Sequence, residues 1–120
     1  MNHNPITTHI LDSSLGKPAV GVTIKLLVLK NNEWQLLSSA VTNSDGRIDG
    51  WEQTDWYQDK EVEALFATYK ICFELESYWE QQSLSAFYPS AEICFRLQDD
   101  RHHHIPLLLS PYSYSTYRGS

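Results

Sequence analysis

The chain has 120 residues, of which 42% are hydrophobic and 20% are charged, and its formal net charge is −6. This length is sufficient for one domain with a core of its own, so we expect a single domain over residues 1–120. Only nine Lys and Arg residues are present, too few for a basic stripe that neutralises phosphates, and nucleic acid is therefore not an expected partner.

The first segment, MNHNPITTHILD, lacks the basic start and the continuous apolar stretch of a signal peptide. No apolar run approaches the length that crosses a bilayer, so we expect a cytoplasmic protein with no membrane partner. Residues 6–11 alternate as a strand does, with His9 in the middle. A lone histidine among apolar neighbours is more often a structural residue than a catalyst.

Turn or loop signals separate the segments that follow. They are GKP at residues 16–18, KNNE at 30–33, NSDG at 43–46 and SP at 110–111. Arg47 comes directly after the third of these, a position where an arginine is usually solvated.

Three further segments, VGVTIKLLVLK, YKICFELE and AEICFRLQ, alternate with a period of two, which is typical of half-buried antiparallel strands. The predicted core positions are Val22, Ile24, Leu26 and Val28; Tyr69, Ile71, Phe73 and Leu75; and Ala91, Ile93, Phe95 and Leu97. Cys72 and Cys94 lie in two of these strands, where free thiols are favoured over a single bridge.

Between the second and third of these strands, SYWEQQS at residues 77–83 is the one plausible helix. Ser77 would be its N-cap, and Glu80 three residues later would complete a capping box. Seven or eight short strands with a single helical excursion predict a β-sandwich.

The strand HHIPLLLS has apolar residues on both faces. If Ile105, Leu107 and Leu109 fill the core, Leu108 faces outward beside His104 and needs a cover. Exposed apolar patches normally mark a protein interface, so we expect a homo-oligomer with His104 at the interface or in a cleft beside it.

Three adjacent histidines precede this strand and leave several interpretations open. A purification tag is one, although tags lie at chain ends; the solvated polar end of a strand is another. His102 and His104 share a face and could bind zinc with His9, but no metal-ligand spacing occurs elsewhere, so no metal is expected. No nucleophile signature or phosphate-binding glycine loop is present.

The stretches HILDSSLGKPAVGVTIKL, TNSDGR, YKICFELESYWEQQSLSAFYPSAEICFRL and HHHIPLLLSPYSYSTYRGS together resemble the 5-hydroxyisourate hydrolase family, the transthyretin-related enzymes of urate breakdown. The resemblance implies an all-β, transthyretin-like, eight-stranded Greek-key β-sandwich with one short helix. It also implies a homotetramer with active sites at the dimer–dimer interface and no cofactor. His103 stands where a tyrosine is usual, Ser113 where a glycine is common, and Ser83 where a glycine usually follows the helix.

By the same resemblance, the catalytic residues are His9, Arg47 and His104. The terminal YRGS, in which Tyr117, Arg118 and Ser120 would contact the substrate and close the site, is the most specific element. The implied reaction is hydrolysis of 5-hydroxyisourate to 2-oxo-4-hydroxy-4-carboxy-5-ureidoimidazoline.

The residue types fit such a reaction. Water needs a general base near neutral pH, which an imidazole supplies, and the two histidines would share that duty in an order the sequence leaves open. The guanidinium of Arg47 would bind substrate oxygens. The alternative is a transthyretin-like carrier that binds a small ligand without catalysis.

Overall fold

The structure is a computed structural model and describes residues 3–119. These residues form eight strands and two short helices. The strands are β1 (Ile6–Asp12), β2 (Lys17–Pro18), β3 (Thr23–Lys30), β4 (Glu33–Val41), β5 (Ala67–Glu74), β6 (Ser90–Leu97), β7 (His103–Ser110) and β8 (Ser113–Thr116). A 3₁₀ helix covers Val62–Leu65, and α1 covers Glu76–Gln81.

The described strands pair into two four-stranded sheets, in the orders β2–β1–β7–β8 and β4–β3–β5–β6. Strands β1 and β7 run parallel, and the other pairs are antiparallel. The sheets enclose one apolar layer, which confirms the predicted all-β, eight-stranded sandwich. Within residues 3–119, neither helix is long and apolar enough to cross a membrane.

The period-two alternation places the core where the sequence predicts it. The predicted inward positions of β3 and β5 are buried, as are Ala91 and Leu97 of β6. Each such aliphatic or aromatic side chain stabilises the fold by about 1.5–3 kcal/mol when fully buried. Ile93 and Phe95 are only half-buried, because β6 is the last strand of its sheet and both side chains line a cleft at that edge.

The helix differs from its prediction in both its start and its cap. It begins at Glu76, the N-cap position is Leu75, and no side chain caps it. Leu75 continues the buried apolar face of β5, with an αR backbone, and passes directly into the helix. Ser77 therefore lies inside the first turn, so the predicted capping box is wrong.

Two short elements were not predicted. The 3₁₀ helix is a second helical segment, and its four residues are too few for a recognisable periodicity. Lys17 and Pro18, in the predicted GKP loop, form the short edge strand β2 against Leu11 and Asp12 of β1. A proline is tolerated there because an edge strand leaves one side of its backbone unpaired.

Candidate active site

The parallel pairing of β1 and β7 brings two of the predicted catalytic residues together. Thr7 is in register with His104, and His9 is in register with Pro106. Because the alternate residues of both strands are buried between the sheets, His9 and His104 lie on the outer face, each half-buried. Their ring centroids are 6.5 Å apart, with 29° between the ring planes.

The turn at residues 43–46 places Arg47 beside this pair. The backbone of Arg47 forms an antiparallel bridge with His9, and the Ile10 N–H donates to the Gly46 carbonyl at 2.9 Å. Gly46 has φ of +74°, and a Cβ there would lie 2.5 Å from the Ile10 carbonyl oxygen. Only glycine fits so close to β1.

The end of the chain lies against His104. The Gly119 N–H donates to the His104 carbonyl at 2.8 Å, and a Cβ at Gly119 would lie 2.7 Å from His104 Cδ2. The family resemblance includes Gly119 in the terminal motif, but its contact with the imidazole depends on the folded path of the chain. Sequence alone did not identify this role.

Arg118 holds the same segment through an ion pair with Asp99, whose Oδ1 lies 3.5 Å from the guanidinium. Hydrogen bonds from the side chain and the backbone of Arg101, with a weaker one from Arg118, hold the pKa of Asp99 well below its usual range. Asp99 is thus an anionic anchor that the sequence analysis missed. Tyr117 is 58% exposed, and Ser120 lies outside the described residues.

The surroundings of His9 and His104 lower the pKa of both imidazoles below 6.5. Partial burial is the main cause for each, and the positive charge of Arg47 adds to it. Asp45 partly opposes the effect at His9, whereas His102 and His9 reinforce it at His104. Both rings are consequently neutral near pH 7, the state in which an imidazole accepts a proton.

His103 points the other way, as strand alternation predicts. It is 3% exposed, and its Nδ1 lies 2.8 Å from the Arg101 carbonyl oxygen. It lines a cleft of about 580 Å³ between the edges of the two sheets, together with residues that include Phe95, His104, Tyr117 and Arg118. Of the three predicted catalytic residues, only His104 borders this cleft; His9 and Arg47 do not line it.

The metal-binding alternative gains no support from the geometry. Within residues 3–119, no three His, Cys, Asp or Glu side chains converge closely enough to hold a metal ion. Thr7 lies between His102 and His104 instead and contacts both rings. Cys72 and Cys94 are free thiols.

Comparison with known proteins agrees with this architecture. The model of the "HIUase/Transthyretin family" matches residues 6–119. The chain is 41% identical over 122 residues to 5-hydroxyisourate hydrolase 2 of Rhizobium meliloti (strain 1021), covering 96% of this chain and 95% of that protein. It is 38% identical over 120 residues to the mouse (Mus musculus) 5-hydroxyisourate hydrolase, with coverage of 98% and 96%.

Among solved structures, the chain resembles sea bream transthyretin in complex with thyroxine. The TM-score is 0.82 at 28% identity, and the match covers 97% of this chain and 95% of that one. The family match spans nearly the whole chain, and both hydrolases are well above 30% identical to it. This chain belongs to the HIUase/Transthyretin family.

Proposed function

We propose that this chain hydrolyses 5-hydroxyisourate to 2-oxo-4-hydroxy-4-carboxy-5-ureidoimidazoline, a step in urate degradation. The observation that carries the proposal is the pair of imidazoles of His9 and His104, whose ring centroids lie 6.5 Å apart, with Arg47 bridged to the backbone of His9. At that separation one water molecule can come within hydrogen-bond reach, about 2.6–3.2 Å, of both rings. Relatives of nearly the same length that are named as 5-hydroxyisourate hydrolases support the same substrate.

In the proposed reaction, one imidazole takes a proton from water while the water oxygen attacks C6 of the substrate. The N1–C6 amide bond then breaks, C6 becomes a carboxylate that stays attached to the ring, and the leaving nitrogen N1 receives a proton to become the terminal nitrogen of the ureido group. The second imidazole orients the water or supplies that proton. General acid–base assistance of this kind contributes roughly 10²- to 10⁴-fold to the rate.

Arg47 and the terminal segment would bind the substrate. A guanidinium presents several N–H donors in one plane, which suits the oxygens of a flat heterocycle and the negative charge that develops on the attacked carbonyl. Tyr117 and Arg118 would border the site, with Arg118 kept in place by Asp99. Ser120 would complete the closure.

A homotetramer with the sites at the dimer–dimer interface is part of the proposal. In a single chain the outer face that carries His9 and His104 is open, and the adjoining Leu108 is only half-buried. A second copy across this face would exclude water and strengthen every charge interaction in the site. The two free thiols fit a reducing cytoplasm.

The alternative function is that of a transthyretin-like carrier. The structural similarity to sea bream transthyretin in complex with thyroxine is the reason to test it. A carrier has no need for two imidazoles and an arginine on one face.

The experiment that separates the two functions generates 5-hydroxyisourate in situ with urate oxidase and follows its ultraviolet decay with and without the protein, with the product identified by NMR. Decay above the spontaneous rate supports the hydrolase; an unchanged rate with an intact tetramer supports the carrier.

A further inference from the structure

A hydroxyl group lies between two imidazoles next to the catalytic pair. Thr7 Oγ1 is 2.8 Å from His104 Nδ1 and 2.6 Å from His102 Nε2. The arrangement follows from the fold, because the parallel register places Thr7 beside His104 and strand alternation places His102 on the same face. Both distances are within hydrogen-bond range.

The proton count restricts what these three groups can do together. A threonine hydroxyl carries one hydrogen, so Thr7 can donate to only one of the two rings and must accept from the other. If Thr7 donates to His102 Nε2, then His104 carries its proton on Nδ1 and donates it to Thr7. If Thr7 donates to His104 Nδ1, then His102 donates from Nε2 and His104 carries its own proton on Nε2.

The two arrangements differ in the nitrogen that His104 offers to water. Nδ1 is engaged by Thr7 in both, so Nε2 is the nitrogen left for the reaction. In the first arrangement Nε2 has a free lone pair and can act as a general base. In the second it bears a proton and can only donate. A doubly protonated His102 has no acceptor nitrogen and therefore imposes the second arrangement.

We propose that Thr7 and His102 are positioning residues that set the tautomer of His104, with Thr7 holding the proton on Nδ1 and His102 reversing this when it becomes protonated. The choice of Nδ1 rests on the proposed hydrolase function, because a general base needs the free lone pair on Nε2; the tautomer itself can be measured without substrate. His102 is exposed to solvent.

The charged and titratable groups around the chain of hydrogen bonds are consistent with this role. His9 on β1 and Arg47, which is bridged to it, lower the pKa of His104 and so disfavour a positive charge on its ring. The surroundings of His102 include His3, Asp99, Asp100 and Arg101, which border the same small cavity.

The test uses three variants of the full-length protein. Thr7→Val removes the hydroxyl and keeps the β-branched shape, and Thr7→Ser restores a hydroxyl. Thr8→Val is the control within the strand, because the Thr8 hydroxyl donates to the Ile105 carbonyl at 2.7 Å on the buried side and touches neither imidazole. Long-range ¹H–¹⁵N NMR of ¹⁵N-histidine-labelled protein reports the tautomer of His104 directly.

We expect His104 to carry its proton on Nδ1 at pH 8 in the wild type, Thr7→Ser and Thr8→Val proteins, and to lose this preference in Thr7→Val. In metal sites, loss of the group that orients a ligating histidine typically costs about 10- to 100-fold in affinity or activity, and we take this as the scale for His104. We expect that fall in kcat for Thr7→Val, with a smaller change in KM and with rescue by serine. A wild-type His104 protonated on Nε2, or a tautomer unchanged in folded Thr7→Val, would overturn the proposal.

The role of His102 has its own test, the acid limb of the pH profile of kcat. If His102 acts through Thr7, His102→Ala removes one inactivating protonation and moves the midpoint to lower pH. If His102 acts only by its charge, which lowers the pKa of His104, the same variant moves the midpoint upward and the relay is wrong. A wild-type protein without hydrolase activity would refute the proposed function but leave the NMR test of the tautomer intact.

Discussion

Gly119 lies directly against the imidazole of His104. Its N–H donates to the His104 carbonyl at 2.8 Å, and a methyl group on its Cα would lie 2.7 Å from Cδ2 of the ring. Gly119 thus joins the last residues of the chain to the candidate base. A side chain at residue 119 cannot be accommodated without moving either the ring or the terminal segment.

Gly119→Ala is therefore expected to displace the His104 ring while the sandwich stays folded. A misplacement of about 1 Å at a reacting group can cost about 100-fold, so we expect kcat/KM to fall roughly 10- to 100-fold. Steady-state kinetics on 5-hydroxyisourate measure this fall in kcat/KM. Gly50→Ala is the matched control, since a Cβ there meets nothing within 4 Å. Equal activity in the two variants would contradict the assigned contact.

The lowered pKa values of His9 and His104 predict how activity depends on pH. Both rings are neutral above their folded-state pKa, which lies below 6.5, so kcat/KM should be level near neutrality and fall only at more acid pH. Rate measurements between pH 5 and pH 8 test this. An NMR titration that gives either ring a pKa above 6.5 would contradict the assigned environment of His9 and His104.

The same shifts fix the sign of the effect on stability. Below pH 6.5 the unfolded chain binds more protons at these histidines than the folded chain, so the free energy of unfolding decreases as the pH falls through this range. Their stabilising contribution is fully present above 6.5. Denaturant unfolding of the wild type and of His9→Asn at several pH values separates this contribution from that of other groups.

Arg47→Gln is expected to raise the pKa of both imidazoles, because the variant removes a positive charge that lowers the pKa of each. An NMR titration of the two rings measures the shift independently of activity. Lys17→Gln is the control, a similar loss of charge on the exposed strand β2 that does not contribute to either shift. If the two pKa values stay where they are in Arg47→Gln, Arg47 is not close enough to act on the substrate beside them.

Asp99→Asn is expected to loosen the terminal segment by removing the charge that Arg118 meets at 3.5 Å. An exposed ion pair contributes little, so we expect KM to rise only about two- to fivefold, with kcat nearly unchanged. Asp100→Asn provides the control at the next residue. A loss of kcat without a change in KM would show that Asp99 acts on the chemistry and not on closure of the site.

Much of the fold could be predicted because a period of two distinguishes the inner and outer faces of a strand without knowledge of its neighbours. Residues such as Ile24 and Phe73 are buried as the alternation predicts. Ile93 was predicted equally well by its pattern but is only half-buried, since alternation does not identify which strand lies at the edge of a sheet. The predicted helix cap at Ser77 was wrong because β5 leads into the helix without a break, so the helix begins at Glu76.

The candidate site was identified by the family resemblance and not by pattern. Arg47 lies 38 residues after His9, and His104 lies 57 residues after Arg47. No local sequence signal connects the three. Their proximity depends on the parallel register of β1 and β7 and on the close approach of Gly46 to Ile10. Thr7 and Asp99 were missed because their partners are set by that register and by the path of the terminal segment.

The most direct test of the account replaces the candidate base. His104→Asn keeps a polar side chain opposite Thr7 but removes the imidazole, and we expect the catalysed decay of 5-hydroxyisourate to fall by roughly 10²- to 10⁴-fold. His103→Tyr, which changes the adjacent residue on the opposite face to the one usual in the family, should retain activity. Undiminished turnover by a folded His104→Asn protein would contradict the assignment of this histidine and the mechanism built on it.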